Sequence, residues 1–357
     1  MNDEDFQDRF AVEAEHRAQW SESGWVPTDF FYEATGMEDV SSGAGSKGLA
    51  WHYAPPTALL GILQNNVVWA GSAALMNDYK ELRIGATALR SHITSQEGML
   101  GSHVVSQFLD AVSGNDNARA HQRFILSGSS DGDNLTLFRN YGGQMVSYAV
   151  GFDTSIRLVP LQQRTSPPGA SGNVAVPGTA IEIDERGFSR LAFSPVQIHT
   201  ATRSWRSVVY DRDQTSKLVE RAFNLLHYDY VQLLAAPDHV RPHLTLGNYD
   251  IRLEALDFIK STSFQDEREL RIMIPIARPS WMFVRFRPGS LGVLPYIELT
   301  SPDSPNGYAK KATKLPIRHI RISPTPYPEE AQASLTQLLA DHGYEDVEVS
   351  VSDIPFR

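Results

Sequence analysis

An α+β fold is what this sequence predicts, and three observations predict it. Short apolar runs of strand type are interspersed with longer runs of helical period, in no regular βαβ alternation. Phe, Tyr and Trp are spread along 357 residues, of which 41% are hydrophobic, enough to bury a sizeable core. There is no cysteine, so a disulfide framework, a cysteine-ligated metal and a thiol nucleophile are all excluded.

The elements follow in order. Phe6, Phe10, Ala14 and Ala18 recur every fourth residue, which predicts an amphipathic helix from about Asp3 to Glu22. A Gly- and Ser-rich loop ending in Ser41-Ser42-Gly43-Ala44-Gly45-Ser46 separates this helix from the rest of the chain. Residues 1–48 are therefore expected to be a helical arm and loop, with the main domain over 49–357. Leu49 to Tyr53 predicts a strand stopped by Pro55-Pro56, and Thr57 to Gln64 a helix with Leu59, Leu60 and Leu63 inward. Val67 to Ala70 is the next strand, and Asn77 or Asp78 caps a helix running to about His92. A helix over 102–113 and a strand over Arg123 to Leu126 come next. Asp133 or Asn134 then opens a short helix that stops at Gly142-Gly143. After a strand from Val146 to Phe152, Pro160 to Gly178 reads as a long surface loop. Helices at about Thr215 to Leu234 and Ile251 to Lys260 make an inserted helical region around 205–262. Strands are expected over Leu270 to Ile274 and near 281–287, 294–299 and 317–322. A helix from Glu329 to His342 and a strand from Val347 to Val351 close the chain.

The formal net charge of −10 argues against a general electrostatic grip on nucleic acid. Arg285, Arg287, Lys310, Lys311, Lys314, Arg318 and Arg321 read as solvated charges on alternating strand positions and a loop. The acidic opening Met1 to Asp5 lacks the basic start and apolar run of a secretion signal, and no apolar run is long enough to span a bilayer. The expectation is a soluble, cytoplasmic protein without membrane partners.

Four blocks carry polar chemistry. His52, on a strand between Trp51 and Tyr53, is either a hydrogen-bonded structural histidine or a donor aimed into a cleft. Asn77, Asp78 and Glu81 fall within one helical turn, as a cap with a solvated glutamate or as oxygen ligands sharing a hard metal. Ser127-Gly128 ends a strand, and Tyr141 precedes two glycines; it is either a core tyrosine or a ring that stacks on a planar ligand. Glu267, Glu269 and Arg271 alternate, which on a strand sends all three to one face. Two adjacent carboxylates repel unless Arg271 or a bound cationic group compensates, an arrangement costly in a core and useful where positive charge develops. No P-loop, Rossmann glycine fingerprint, HExxH or GxSxG motif is present.

Taken together, the blocks resemble a known family. Asn77-Asp78 with Glu81, Leu137 to Gly142 leading into Tyr148-Ala149-Val150-Gly151-Phe152-Asp153, and Phe264 with Glu267, Glu269 and Arg271 resemble bacterial domain-of-unknown-function family 2971. Ile320-Arg321-Ile322-Ser323-Pro324 and the terminal Ser352 to Arg357 extend the resemblance, which covers roughly residues 49–357. Phe138 stands where that family commonly has Trp, and Tyr79 where a Pro often follows the Asp. More distantly, Leu49 to Ala54 with Leu60 to Val67 looks like the opening of poly-ADP-ribose polymerases and related ADP-ribosyltransferases. Glu267-Arg268-Glu269 resembles the ExE element of ADP-ribosylating toxins.

This likeness implies an ADP-ribosyltransferase-like split mixed sheet with flanking helices, and NAD as substrate without a metal. It implies that His52 binds the ribose and that Tyr141 stacks on nicotinamide. Tyr53 and Ser127 join them as NAD-binding residues, with Arg139 or Arg271 answering the pyrophosphate. Glu269 is implied as the catalytic carboxylate, with Glu267 as its companion. The function so implied is mono-ADP-ribosyl transfer to a protein or nucleic-acid acceptor by a toxin or antiphage defence effector, held in check by an antitoxin or regulatory protein. NAD hydrolysis, a metal-dependent nuclease or hydrolase, and a non-catalytic nucleotide sensor are the alternatives.

Overall fold

Two prolines set the first turn of the fold. Pro55 is extended (φ −71°, ψ 165°), and Pro56 begins helix α1 (Pro56–Asn65) at a position whose N–H has no intrahelical partner to lose. The helix stops at Asn66, which takes the left-handed conformation at φ 53°. This geometry comes from a computed structural model describing residues 48–75, 81–113, 123–143, 146–165, 181–183, 189–191, 205–235, 254–276, 282–289, 291–303 and 308–355. Apart from Gly48, the arm expected over 1–48 lies outside the described residues. So do Asn77, Asp78, the side chain of Glu81 and most of the Pro160 to Gly178 loop.

The strands are β1 (Leu49–Ala54), β2 (Val68–Ser72), β3 (Arg123–Ser129), β4 (Tyr148–Asp153), β5 (Val159–Pro160), β6 (Ile181–Ile183), β7 (Ser189–Leu191), β8 (Arg206–Ser207), β9 (Glu269–Pro275), β10 (Val284–Gly289), β11 (Gly292–Thr300), β12 (Ile317–Ile322) and β13 (Glu348–Val351). Besides α1, the longer helices are α2 (Glu81–Ser95), α3 (Ser102–Ser113), α4 (Leu135–Gly142), α5 (Arg212–Ala235) and α6 (Pro328–Asp341). Eleven of the strands form one mixed sheet with the path β10-β11-β2-β3-β1-β4-β12-β13. All of its pairings are antiparallel except β12 with β13. β5 pairs with β11, and β8 and β9 branch from β3, while β6 and β7 pair with each other as a separate two-stranded ribbon. The α+β class is thus observed. Among the described residues no helix is long and apolar enough to cross a membrane.

Alternation along the strands divides the side chains between two packed layers. One face of β9 sends Leu270, Ile272 and Ile274 into the main core, with Ala50, Val150, Phe152 and Ile297 from neighbouring strands. Leu59 and Leu63 of α1 and Leu335 and Leu339 of α6 cover that face. On the opposite face Met273 and Ile125 pack under α2, α3 and α5, through Leu89, Phe108 and Phe223 among others. Further along the same face, Trp51, Tyr53 and Ala149 pack under Leu137 and Phe138 of α4. Two separate apolar covers therefore sit on one face, and the polar residues of β3 and β9 lie between them.

The inserted region is helical, but its second helix differs from the one its periodicity predicts. The helix expected over Ile251 to Lys260 is a 3-10 turn, Glu254–Phe258, after which Ile259 forms a bridge to Val209. That turn belongs to the α2–α5 layer, with Leu256 and Phe258 in its core. β8 adds to β9 through Arg206↔Arg271 and Ser207↔Leu270, so the start of β9 is an inner strand.

Candidate functional site

A gap in the sheet creates the site. β9 pairs with every residue of β3, from Arg123↔Pro275 to Ser129↔Glu269, and so fills one edge of it. β2 and β1 share the other edge, β2 at Phe124 and Ile125 and β1 at Ser129. Between them the carbonyl of Ser127 faces no strand, and a backbone acceptor in such a place needs a donor. His52 supplies it, with Nδ1 donating to the Ser127 carbonyl at 2.9 Å. Because a carbonyl only accepts, Nδ1 carries the proton and Nε2 is left as an acceptor. Burial pushes the imidazole pKa down, and the bond to Ser127 only partly opposes this, so the neutral ring is favoured.

The carboxylate pair is assembled differently from the expectation. Glu267 is not on the strand: it closes a 3-10 helix, Thr262–Glu267, whose first turn is capped by the Ser261 side chain. Arg268 then takes the left-handed conformation at φ 43°, rare for a residue with a side chain, and the strand starts at Glu269. Three alternating residues on one strand face is therefore corrected to two, Glu269 and Arg271. The carboxylates converge anyway, because Lys260 Nζ donates to Glu267 Oε2 at 2.7 Å and to Glu269 Oε2 at 3.0 Å.

Glu269 is only 5% exposed and its carboxylate is saturated. Oε1 accepts from Ser127 Oγ at 2.7 Å and Arg271 Nε at 2.5 Å, and Oε2 from Arg271 Nη2 at 2.8 Å as well as from Lys260. Burial by itself would raise the Glu269 pKa. The guanidinium of Arg271, Lys260 and the Ser127 hydroxyl outweigh it and hold the carboxyl below its ordinary value. Arg271, 2% exposed, also donates from Nη1 to the Asp257 carbonyl at 3.0 Å. Two carboxylates and two cations together are neutral, which is what makes their burial tolerable. Lys260 rests 4.7 Å from the centre of the Phe264 ring, and the Tyr210 hydroxyl accepts from the Glu269 N–H at 3.1 Å. Burial pushes that phenol up to about 12. Glu267 is the more open of the pair, with its side chain 17% exposed against 6% for Glu269. Among the described residues its second carboxylate oxygen receives no hydrogen bond.

These groups line a cavity of about 590 Å³, in the range of pockets that hold a cofactor-sized ligand. Ser127, Glu269 and Arg271 form part of its wall, with His52, Tyr53 and Gly128 beside them. Lys260, Phe264 and Glu267 lie at one side, and Leu137 and Tyr141 of α4 at another. Trp69, Gly71, Arg287, Leu294 and Pro295 make a further wall. Asn134 holds the start of α4 by accepting from the Thr136 and Leu137 N–H groups. Gly143, at φ 77°, ends the helix, and a Cβ on Gly142 would strike Ser147. Tyr53 is anchored rather than presented: its hydroxyl donates to the Asp131 carbonyl at 2.7 Å and accepts from the Asn134 N–H at 3.1 Å.

Of the residues expected at the site, His52, Tyr53, Ser127, Tyr141, Glu267, Glu269 and Arg271 share this one cavity. Arg139 does not line it and is exposed on α4. Arg271 lines it, but its guanidinium is engaged by Glu269 and Asp257. Sequence reasoning misses Lys260, Trp69 and Tyr210, names Phe264 only as part of the family resemblance, and reads Arg287 as solvated charge. Among the described residues no group of three or more His, Asp and Glu is placed to hold a metal ion. No family model, curated protein or solved structure matches this chain.

Proposed function

We propose that this cavity binds NAD and that the protein transfers ADP-ribose from it to a protein or nucleic-acid acceptor, on an ADP-ribosyltransferase-like split sheet. One observation carries the reading: His52, Tyr141 and the Glu267/Glu269 pair, far apart in sequence, meet in one cavity at the gap between β1 and β2. The lining suits a dinucleotide. His52 Nε2 is an acceptor for a ribose hydroxyl, Tyr141 offers a ring and Leu137 an apolar contact to nicotinamide, and Glu267 offers a carboxylate oxygen to the ribose.

In the reaction, the bond between ribose C1′ and nicotinamide breaks with its electron pair leaving on nicotinamide. The acceptor nucleophile bonds to C1′ and gives up its proton. Glu267 is the residue placed to stabilise positive charge at C1′ and to take that proton. Glu269, expected as the catalytic carboxylate, acts instead as the positioning residue: it fixes Lys260, Arg271 and the Ser127 hydroxyl, and Lys260 in turn aims Glu267. A transferase acting on molecules of its own cell requires restraint. The reading accordingly extends to a toxin or antiphage effector with an antitoxin or regulatory protein.

Labelled NAD incubated with the protein and cell extract tests the proposal. Label is expected on a macromolecule, with nuclease and protease lanes identifying its class. Glu267→Gln is expected to lower the rate about 10²- to 10⁴-fold in a protein that still folds. Activity abolished by a chelator would instead favour a metal-dependent hydrolase. A second reading, nucleotide binding without turnover, is favoured by the four donors that already saturate Glu269; NAD binding with no product of any kind would establish it.

A further inference from the structure

The cavity wall made by β2, β10 and β11 has a chemistry of its own. Trp69, on β2, is 48% exposed although it lines the cavity. Tyr296 of β11 supports its ring at 4.5 Å between centres, tilted by 38°. The Arg287 guanidinium of β10 lies 5.8 Å from the centre of the same indole. Strand register explains the grouping. Glu298 is paired with Trp69, Tyr296 with Gly71, Arg285 with Tyr296 and Arg287 with Leu294, so these side chains share one sheet face. Arg285 is neutralised by Glu298 at 2.6 Å. Arg287 is exposed and forms no ion pair among the described residues. A large, supported, half-open aromatic plane beside an unneutralised guanidinium is the combination that stacks a base and meets its phosphate. β10 is the end strand of the sheet path, so the platform lies at that margin of the sheet.

We infer that Trp69 and Arg287 form a subsite for one nucleotide of a single-stranded nucleic acid, the base against the indole and the phosphate against the guanidinium. Resting on the transferase reading, it assigns the acceptor: a nucleic-acid strand that enters along β10 and β11 toward Glu267. The net charge of −10 makes this a local contact and not a general grip, so few phosphates are engaged.

The experiment measures anisotropy of a fluorescein-labelled single-stranded oligonucleotide with the full chain, in the absence of NAD. Saturable binding is expected, weakened about tenfold or more by Trp69→Ala. Arg287→Gln, an exposed substitution that spares the fold, is expected to lower the slope of log affinity against log salt by about 0.7, one phosphate's share. Trp69→Phe keeps a ring and is expected to retain most of the binding, which separates stacking from misfolding. No saturable binding, or binding equal in wild type, Trp69→Ala and Arg287→Gln, overturns the inference. So does a Trp69-dependent affinity for AMP without any for the oligonucleotide, which would assign the platform to the adenylate half of NAD. NAD consumption, measured separately, tells the two readings apart. Consumption without oligonucleotide binding sinks only the acceptor, and oligonucleotide binding without consumption sinks only the transferase.

Discussion

Glu269 and Glu267 sit on the same lysine, yet removing their charges has different consequences. Glu269→Gln leaves Arg271, 2% exposed, and Lys260, 6% exposed, without a full counter-charge. Breaking a buried pair from one side costs about 3–5 kcal/mol, so the denaturant midpoint is expected to fall markedly. Glu267→Gln also takes a charge from the neutral quartet, but at a side chain 17% exposed and with Glu269 still on Lys260, so its midpoint is expected to fall less than that of Glu269→Gln. The contrast is checked by urea unfolding of both variants beside the labelled-NAD rate. If Glu269→Gln were as stable as wild type and inactive, while Glu267→Gln stayed active, the catalytic and positioning roles of the two glutamates would be reversed.

At the level of elements, the proposed chemistry depends on the position of α4. It is held at one end by Asn134, whose Nδ2 also donates to the Asp266 carbonyl at 3.0 Å, tying α4 to the loop that presents Glu267. At the other end the bare Gly142 lies against Ser147. Gly142→Ala is expected to push α4 away from Ser147 at a cost of about 1–3 kcal/mol. It should also displace Tyr141, so the KM for NAD is expected to rise more than kcat falls. Steady-state kinetics on that variant decides it: an unchanged KM would detach Tyr141 from NAD binding.

For the molecule as a whole, two buried groups of the cavity contribute to the response to acid. His52 has its pKa lowered from 6.5 in the folded protein, so the unfolded chain takes up the proton first as pH falls. Its contribution is complete above pH 6.5 and is lost as pH drops toward the folded value. Glu269 is lowered from 4.5, so its contribution holds above pH 4.5 and is lost as pH falls through its own folded value. Unfolding midpoints taken from pH 8 to pH 4 should therefore begin to decline below about 6.5. His52→Gln, which keeps a donor but does not titrate there, is expected to remove that first decline and leave the later one. Ligand linkage is the second global test. NAD at a hundred times its dissociation constant is expected to add about 2.7 kcal/mol to the unfolding free energy, and no shift at saturating NAD would argue against the cavity as its site.

Most strands and helices are legible locally. Pro55-Pro56 announces α1 and Asn134 announces α4, and Leu59 and Leu63 are buried as expected, whereas Leu60, expected inward, is 39% exposed. Such signals survive in one dimension because backbone sterics and side-chain period act over a few residues. The candidate residues are legible as types too, since a histidine beside packed aromatics and carboxylates near an apolar strand are conspicuous. Their arrangement is not. Whether Glu267 lies on the strand depends on a left-handed Arg268, and whether its charge is compensated depends on Lys260, placed by a 3-10 turn where periodicity predicts a helix. Trp69 and Arg287 become neighbours only through the pairing of β2, β11 and β10. The sequence determined an α+β chain with the polar residues of a site. The tertiary structure decided that β1 and β2 part along one edge of β3, because burial, charge compensation and strand register are properties of contacts between distant segments, and no local pattern encodes them.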